Sequence, residues 1–197
     1  MCHPDGSVDL GFRGERYAAG THICLVYRDD AERRRIVRHF VESGLFEDEQ
    51  VFYLADTAER PDVDVWLANL DIDPTAIRRD SSLQLEQALA TYCPDGTFYP
   101  LGMTETLKRT YEAARSRGFT HARVSGEMSW ALKKLPGSDR LIEYESMVND
   151  VVRTHPITAM CQYNANAFDG ITVFRALQVH PFMVLGGQIV RNPYFES

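Results

Sequence analysis

Short apolar runs recur along the chain, and most are followed by a stretch in which apolar residues return every third or fourth place. His22-Ile23-Cys24-Leu25-Val26-Tyr27 is unbroken and partly β-branched, which predicts a buried strand. Asp29 and Asp30 can cap a helix from about Ala31 to Ser43, with Ile36, Val37, Phe40 and Val41 as its apolar stripe and Gly44 in the place of a left-handed C-cap. Val51 to Ala55 predicts a second strand, and Val63 to Leu70 a short helix broken by Asp73-Pro74. A weaker strand at Leu83 to Glu86 and a turn-rich loop from Cys93 to Pro100 lead to a strong helix from Thr104 to Arg117, closed by Gly118. A strand from about His121 to Ser125, a helix Leu141 to Arg153, a strand Ile157 to Tyr163, a helix Gly170 to Leu177 and a last strand around Phe182 to Leu185 complete the pattern. Residues 1–20 have no period and read as an arm; 21–197 read as one α/β domain. Alternating strands and helices predict three layers, a mostly parallel sheet with helices on both faces, since parallel strands need crossovers. Ligands of such sheets sit outside the carboxyl ends of the strands.

Composition narrows the function. With 197 residues, 44% of them hydrophobic, the chain can bury a substantial core. A net charge of -7 argues against a nucleic-acid surface, which needs clustered cations. The one basic run, Arg33-Arg34-Arg35 with Arg38, lies within a helical pattern and reads as a solvated face. No run reaches the roughly 20 apolar residues of a membrane span, and no signal peptide is apparent, so a cytoplasmic location is expected. Cys2, Cys24, Cys93 and Cys161 form no CxxC pair, and reduced thiols are expected.

Few residues suggest chemistry. Ser125-Gly126-Glu127 ends an apolar run and looks like the acidic strand end of a RecA-like nucleotide site. Arg28-Asp29-Asp30-Ala31-Glu32-Arg33 stands where such a fold keeps its phosphate loop, yet it has no glycine and no lysine, so a functional P-loop is missing. His22 and Cys24 share a strand face, and with Cys161 they could ligate a soft metal or present a reactive thiolate. Packing is the preferred reading, because cysteine behaves as a small hydrophobe, and neither metal nor cofactor is expected. Glu127 either contacts a ligand or caps a helix starting near Ser129, and Trp130 reads as core. In the segment from Cys161 to Asp169, Gln162 and Tyr163 are pocket candidates, whereas Asn164, Asn166 and Asp169 read as turn and cap residues. His180-Pro181 and Asn192-Pro193 read as strand boundaries. No nucleophile elbow or HExxH spacing supports a hydrolase.

Taken in order, His22 to Tyr27, Gly44-Leu45 with Val51-Phe52-Tyr53-Leu54, Gly126-Glu127-Met128-Ser129-Trp130, Cys161-Gln162-Tyr163, His180-Pro181 and Asn192-Pro193-Tyr194 resemble the MEDS domain, the methanogen/methylotroph sensory domain named after a regulator of dichloromethane metabolism. The resemblance covers roughly residues 20–196. It implies a degenerate RecA-like, KaiC-related fold that senses a small organic molecule, proposed to be a hydrocarbon derivative. It also implies a kinase, anti-sigma-factor or transcription-regulator output, reached by association or carried on a longer chain of which this is the sensor. The ligand-site candidates are His22, Cys24, Tyr27, Glu127, Gln162 and Tyr163, with no catalytic set. The competing readings are an NTP-binding switch or hydrolase in which Glu127 activates water over a non-standard phosphate loop, and a pure interaction module. A homodimer is compatible with each.

Overall fold

The computed structural model describes residues 6–12, 15–59, 62–73 and 82–196. The apolar runs become β3 (His22–Tyr27), β4 (Gln50–Ala55), β5 (Leu83–Gln87), β6 (Ala122–Glu127), β7 (Ile157–Asn164) and β8 (Phe182–Leu185). With β9 (Gln188–Arg191) they form a seven-stranded sheet in the order β5-β4-β6-β7-β3-β8-β9. Every pairing from β5 to β8 is parallel, and β9 returns antiparallel along β8. The helices are α1 (Asp30–Phe46), α2 (Val63–Asn69), α3 (Ala88–Tyr92), α4 (Pro100–Ser116), α5 (Leu141–Thr154) and α6 (Gly170–Val179).

The pleat sends alternate residues of each strand into two separate cores. Ile23, Leu25, Val51, Tyr53, Met160, Leu83 and Leu85 face α1 and α2. Cys24, Phe52, Leu54, Val124, Ala159, Cys161 and Tyr163 face α3 to α6, where Trp130 is fully buried and stacked on Tyr92 at 4.7 Å between ring centres. The three-layer α/β arrangement is the expected one, and Trp130 is core as read.

Four details differ from the pattern-based expectation. The segment read as an aperiodic arm contains a small antiparallel pair, β1 (Ser7–Asp9) and β2 (Arg16–Ala18), and Val8, Leu10 and Phe12 are buried in the α1 core. Three-residue strands are too short to show a period. The strand at Phe182 is not the last: Gly186 and Gly187, at φ 57° and 72°, turn the chain back into β9. The short helix α3 has no side-chain N-cap and leaves no capping signal. Gly44 lies inside α1 rather than ending it, and the positive φ falls on Asp48. A Cβ on Gly44 would sit 2.8 Å from Arg123 Cδ and 2.9 Å from Val51 Cγ2, so the glycine lets α1 lie close on β6 and β4.

Arg123 explains that close approach. It is a fully buried cation on β6, paired with buried Glu49, and it donates to Phe40 O at 2.8 Å, Ser43 Oγ at 2.6 Å and Asp9 O. One guanidinium thereby ties the end of β1, α1, the turn before β4 and the central sheet. Burial pushes the Glu49 carboxyl up and the Arg123 charge opposes that shift. Breaking a buried pair strands the surviving charge, so Arg123→Met is expected to lower unfolding stability in urea by about 3–5 kcal/mol, and adding Glu49→Leu to recover much of that loss. Gly44→Ala is expected to cost about 1–3 kcal/mol through overpacking against the same guanidinium, in the same assay.

Candidate functional site

Strand β7 carries Cys161, Gln162 and Tyr163 in succession, and the pleat sends them to opposite faces. Two polar clusters result.

The first lies at the carboxyl ends of the strands, on the α1 face. Glu127 Oε1 accepts from the Tyr53 hydroxyl at 2.6 Å and from Arg33 Nη1 at 3.1 Å, and Oε2 accepts from the Asp56 amide at 3.2 Å. Arg33 also donates to Asp30 Oδ1 at 2.8 Å and to the Tyr53 oxygen at 3.0 Å, and it lies 5.6 Å over the Tyr27 ring. Gln162 donates to Ser125 Oγ at 2.8 Å and to the Tyr53 oxygen at 3.2 Å. The Arg33 side chain is only 16% exposed, so this member of the basic run is not part of a solvated face. Burial alone would lower its pKa, but Tyr53 and Glu127 outweigh it and raise it. Glu127 makes no cap to the 3-10 turn Met128–Lys133; its oxygens are taken by Arg33, Tyr53 and Asp56. Asp29 accepts from the Ala31 amide at 2.7 Å, closing the start of α1 with a carboxylate. Gly126 is a packing glycine, since a Cβ there would meet Tyr92 Oη at 2.5 Å.

The second cluster lies on the α5 and α6 face and is fully buried. His22 Nε2 is 3.3 Å from Glu145 Oε2, Cys161 Sγ donates to Glu145 Oε2 at 3.2 Å, and Tyr163 donates to Glu145 Oε1 at 2.5 Å. His180 Nε2 is 3.6 Å from Glu145 Oε2, and its ring centre is 4.0 Å from that of His22. Burial and the neighbouring His22 push His180 down to about 3. Burial, then the carboxylate of Glu145, pushes the Cys161 thiol well up.

The six sequence candidates therefore divide. Tyr27, Glu127 and Gln162 belong to the Arg33 cluster; His22 and Tyr163 belong to the Glu145 cluster. Tyr163 lies in the strand, as read, and its side chain is buried. Cys24 shares the face of His22 and pairs in register with Cys161, yet the groups that converge with His22 and Cys161 are Glu145 and His180. His180 was read as a boundary residue, and Arg33 as part of a solvated face. Glu145, Tyr53 and Asn149 were not singled out. Glu145 carried a signal: it falls on the buried stripe of α5 with Leu141, Val148 and Val152, where a carboxylate is out of place.

Beside the second cluster, at the amino end of β3, an open cavity of about 580 Å³ is lined by His22, Asn149, Val152, Val179, Phe182 and Phe195 among others. This is the opposite end of the sheet from the carboxyl-end crevice.

Residues 21–181 match the family described as MEDS, MEthanogen/methylotroph, DcmR Sensory domain. The chain belongs to the MEDS family. Among solved structures, this MEDS chain is similar to a KaiC-like protein from the hyperthermophilic archaeon Pyrococcus horikoshii OT3, with a TM-score of 0.61 at 13% identity, over 91% of this chain and 80% of that one. It is also similar to an ATPase from the type III secretion system of pathogenic bacteria, with a TM-score of 0.56 at 14% identity, over 91% of this chain and 56% of that one. These likenesses establish the RecA/KaiC-like fold. No curated protein matches the sequence. Among the described residues no helix is long and apolar enough to cross a membrane.

The difference between Arg33 and its neighbour is measurable. Arg33→Ala removes the cation facing the largely buried Glu127 and one donor to the Tyr53 oxygen, and is expected to lower stability by about 1–3 kcal/mol in urea unfolding. Arg34→Ala, on a side chain 45% exposed, is expected to stay within about 0.5 kcal/mol.

Proposed function

We propose that this MEDS domain is a sensor that binds a small organic molecule in the cavity beside His22 and passes the event to a signalling or transcription partner. The observation that carries the reading is the state of the position where a RecA-like fold holds phosphate. There the acidic strand end, Glu127, is already bonded to the chain's own Arg33, and the helix behind it starts with a carboxylate cap. An anion entering would have to displace Glu127 from Arg33 and face Asp29 and Asp30, an arrangement opposite to the one that binds phosphate. The cavity at the other end of the sheet is of a size that suits a small guest, and its lining mixes apolar Val152, Val179 and Phe182 with the polar His22 and Asn149. The kinase, anti-sigma-factor or transcription-regulator partner, and the hydrocarbon-derivative class of ligand, follow from the family resemblance.

The second reading, an NTP-binding switch, is favoured by one feature: a glutamate at the carboxyl end of β6 in a fold similar to those of a KaiC-like protein and an ATPase. Thermal-shift measurements separate the two. A guest that binds the native state at about 100 times its Kd adds about 2.7 kcal/mol, which raises the melting temperature by several degrees. Small halogenated or hydroxylated hydrocarbons are expected to give such a rise, and Ser146→Trp, which fills the cavity from an exposed position on α5, to remove it. A rise with magnesium ATP that disappears in Glu127→Gln, with no response to the organic compounds, would replace the sensor reading by the nucleotide one.

A further inference from the structure

We infer that His22, Glu145, Cys161 and His180 form a binding site for one divalent transition-metal ion of the zinc class. The four residues come from β3, α5, β7 and the turn before β8, and each turns one ligand atom toward the same point, all within 4.8 Å of one another. His22, Glu145 and His180 have side chains with no solvent exposure.

Four of the six separations between the ligand atoms are those of a coordination shell, and all six lie within 4.8 Å. Zinc bonds of about 2.0–2.1 Å to nitrogen or oxygen and about 2.3 Å to sulfur make tetrahedral edges of about 3.3 Å between nitrogen and oxygen and about 3.5 Å to sulfur. The corresponding separations are 3.3 Å for His22 to Glu145, 3.6 Å for His180 to Glu145, 3.5 Å for Cys161 to His22 and 3.2 Å for Cys161 to Glu145. The surrounding groups set the imidazoles for the same task. His180 Nδ1 lies 2.6 Å from the Ala176 carbonyl, which can only accept, so this nitrogen carries the proton and Nε2 presents a lone pair. Asn149 Nδ2 donates to Val179 O at 2.8 Å, which leaves Asn149 Oδ1 facing His22 Nδ1 at 3.0 Å, and the same argument frees His22 Nε2. Tyr163 holds the other oxygen of Glu145. Ligating histidines are oriented in this way, by a carbonyl or amide oxygen on the far nitrogen.

Protons alone do not satisfy the cluster. The Cys161 S–H can serve one Glu145 oxygen, and a proton on His22 Nε2 could serve it too, but His180 Nε2 is then fully buried and makes no hydrogen bond among the described residues. A cation at the common point satisfies all four at once and balances the buried carboxylate. Thiolate, imidazole and carboxylate together suit zinc, cobalt or ferrous iron and not calcium or magnesium, which take oxygen shells. Four protein ligands make a closed, structural type of site that joins β3, β7, α5 and the α6–β8 turn. The amide that orients His22 also lines the cavity, so a guest there lies one side chain away from a metal ligand.

The test uses the full chain expressed in zinc-supplemented medium and desalted. Elemental analysis is expected to find about one zinc per chain, and Cys161→Ala and His180→Ala to reduce it to roughly a tenth or less, whereas Cys24→Ala and Cys93→Ala keep it. If a ligand variant fails to fold, cobalt loading of the wild type carries the test: tetrahedral d–d absorption and a thiolate-to-cobalt charge-transfer band are expected. A folded wild-type chain that contains no metal and takes up no cobalt overturns the inference, as does metal retained by the double variant Cys161→Ala, His180→Ala. A metal-free chain that still responds to organic compounds overturns this site and leaves the sensor reading standing; a metal-loaded chain with no such response does the reverse.

Discussion

A parallel sheet covered by helices on both faces gives its strands no solvated side, and every polar side chain on them has to find partners inside the protein. The consequences are clearest on β6 and β7. Arg123, Ser125 and Glu127 alternate along β6 toward the α1 face; Arg123 is fully neutralised there by Glu49 and three further oxygens, and Glu127 meets Arg33. Cys161 and Tyr163 on β7 go to the other face, where Glu145 receives both. Because the period is two, a one-residue shift of β7 would exchange the members of the two clusters. The polar groups therefore fix the register as firmly as the apolar ones do.

The Arg33 cluster closes the carboxyl ends of the central strands with the chain's own groups. The helix that follows β3 still starts beside the carboxyl end of β6, so a cation on its first turn still faces a carboxylate at the strand end. Between them there is a direct ion pair, joined by the Tyr53 hydroxyl. That pair is only partly solvated, which makes it stronger than a fully exposed pair. The carboxyl-end crevice is thus knitted together, and the open cavity lies at the amino end of β3.

The two ends are joined by the central strands. β3 and β7 are paired along six residues, from His22 with Ala159 to Tyr27 with Asn164. On the proposed sensor reading a guest in the cavity would meet one end of this pair, and the Arg33 cluster, through Tyr27 and Gln162, lies at the other. A ligand alters such a unit only by binding one arrangement better than another. At the periphery, β9 lies at the sheet edge and α6 leaves Ile171 and Phe174 exposed.

What the sequence made legible follows from what is local. Strand runs, helix stripes and the caps Asp29 and Asp169 depend on neighbours within a few residues, and they appear in the structure as read. The missing phosphate loop was legible for the same reason. The clusters were not, because they join residues distant in the chain: 33 with 127, and 22 with 145, 161 and 180. Distance hides partners, but it does not hide misfits. Glu145 on the apolar stripe of α5 and Arg123 between apolar strand neighbours are each a charge where the pattern calls for a hydrophobe. A charge in such a place costs several kcal/mol if left alone, so a chain that keeps it must supply an opposite charge or an ion. For Arg123 the supply is Glu49, a residue away from β4. For Glu145 no arginine or lysine appears among the described groups contacting it, and what converges instead are two imidazoles and a thiol, groups whose shared affinity is for a metal.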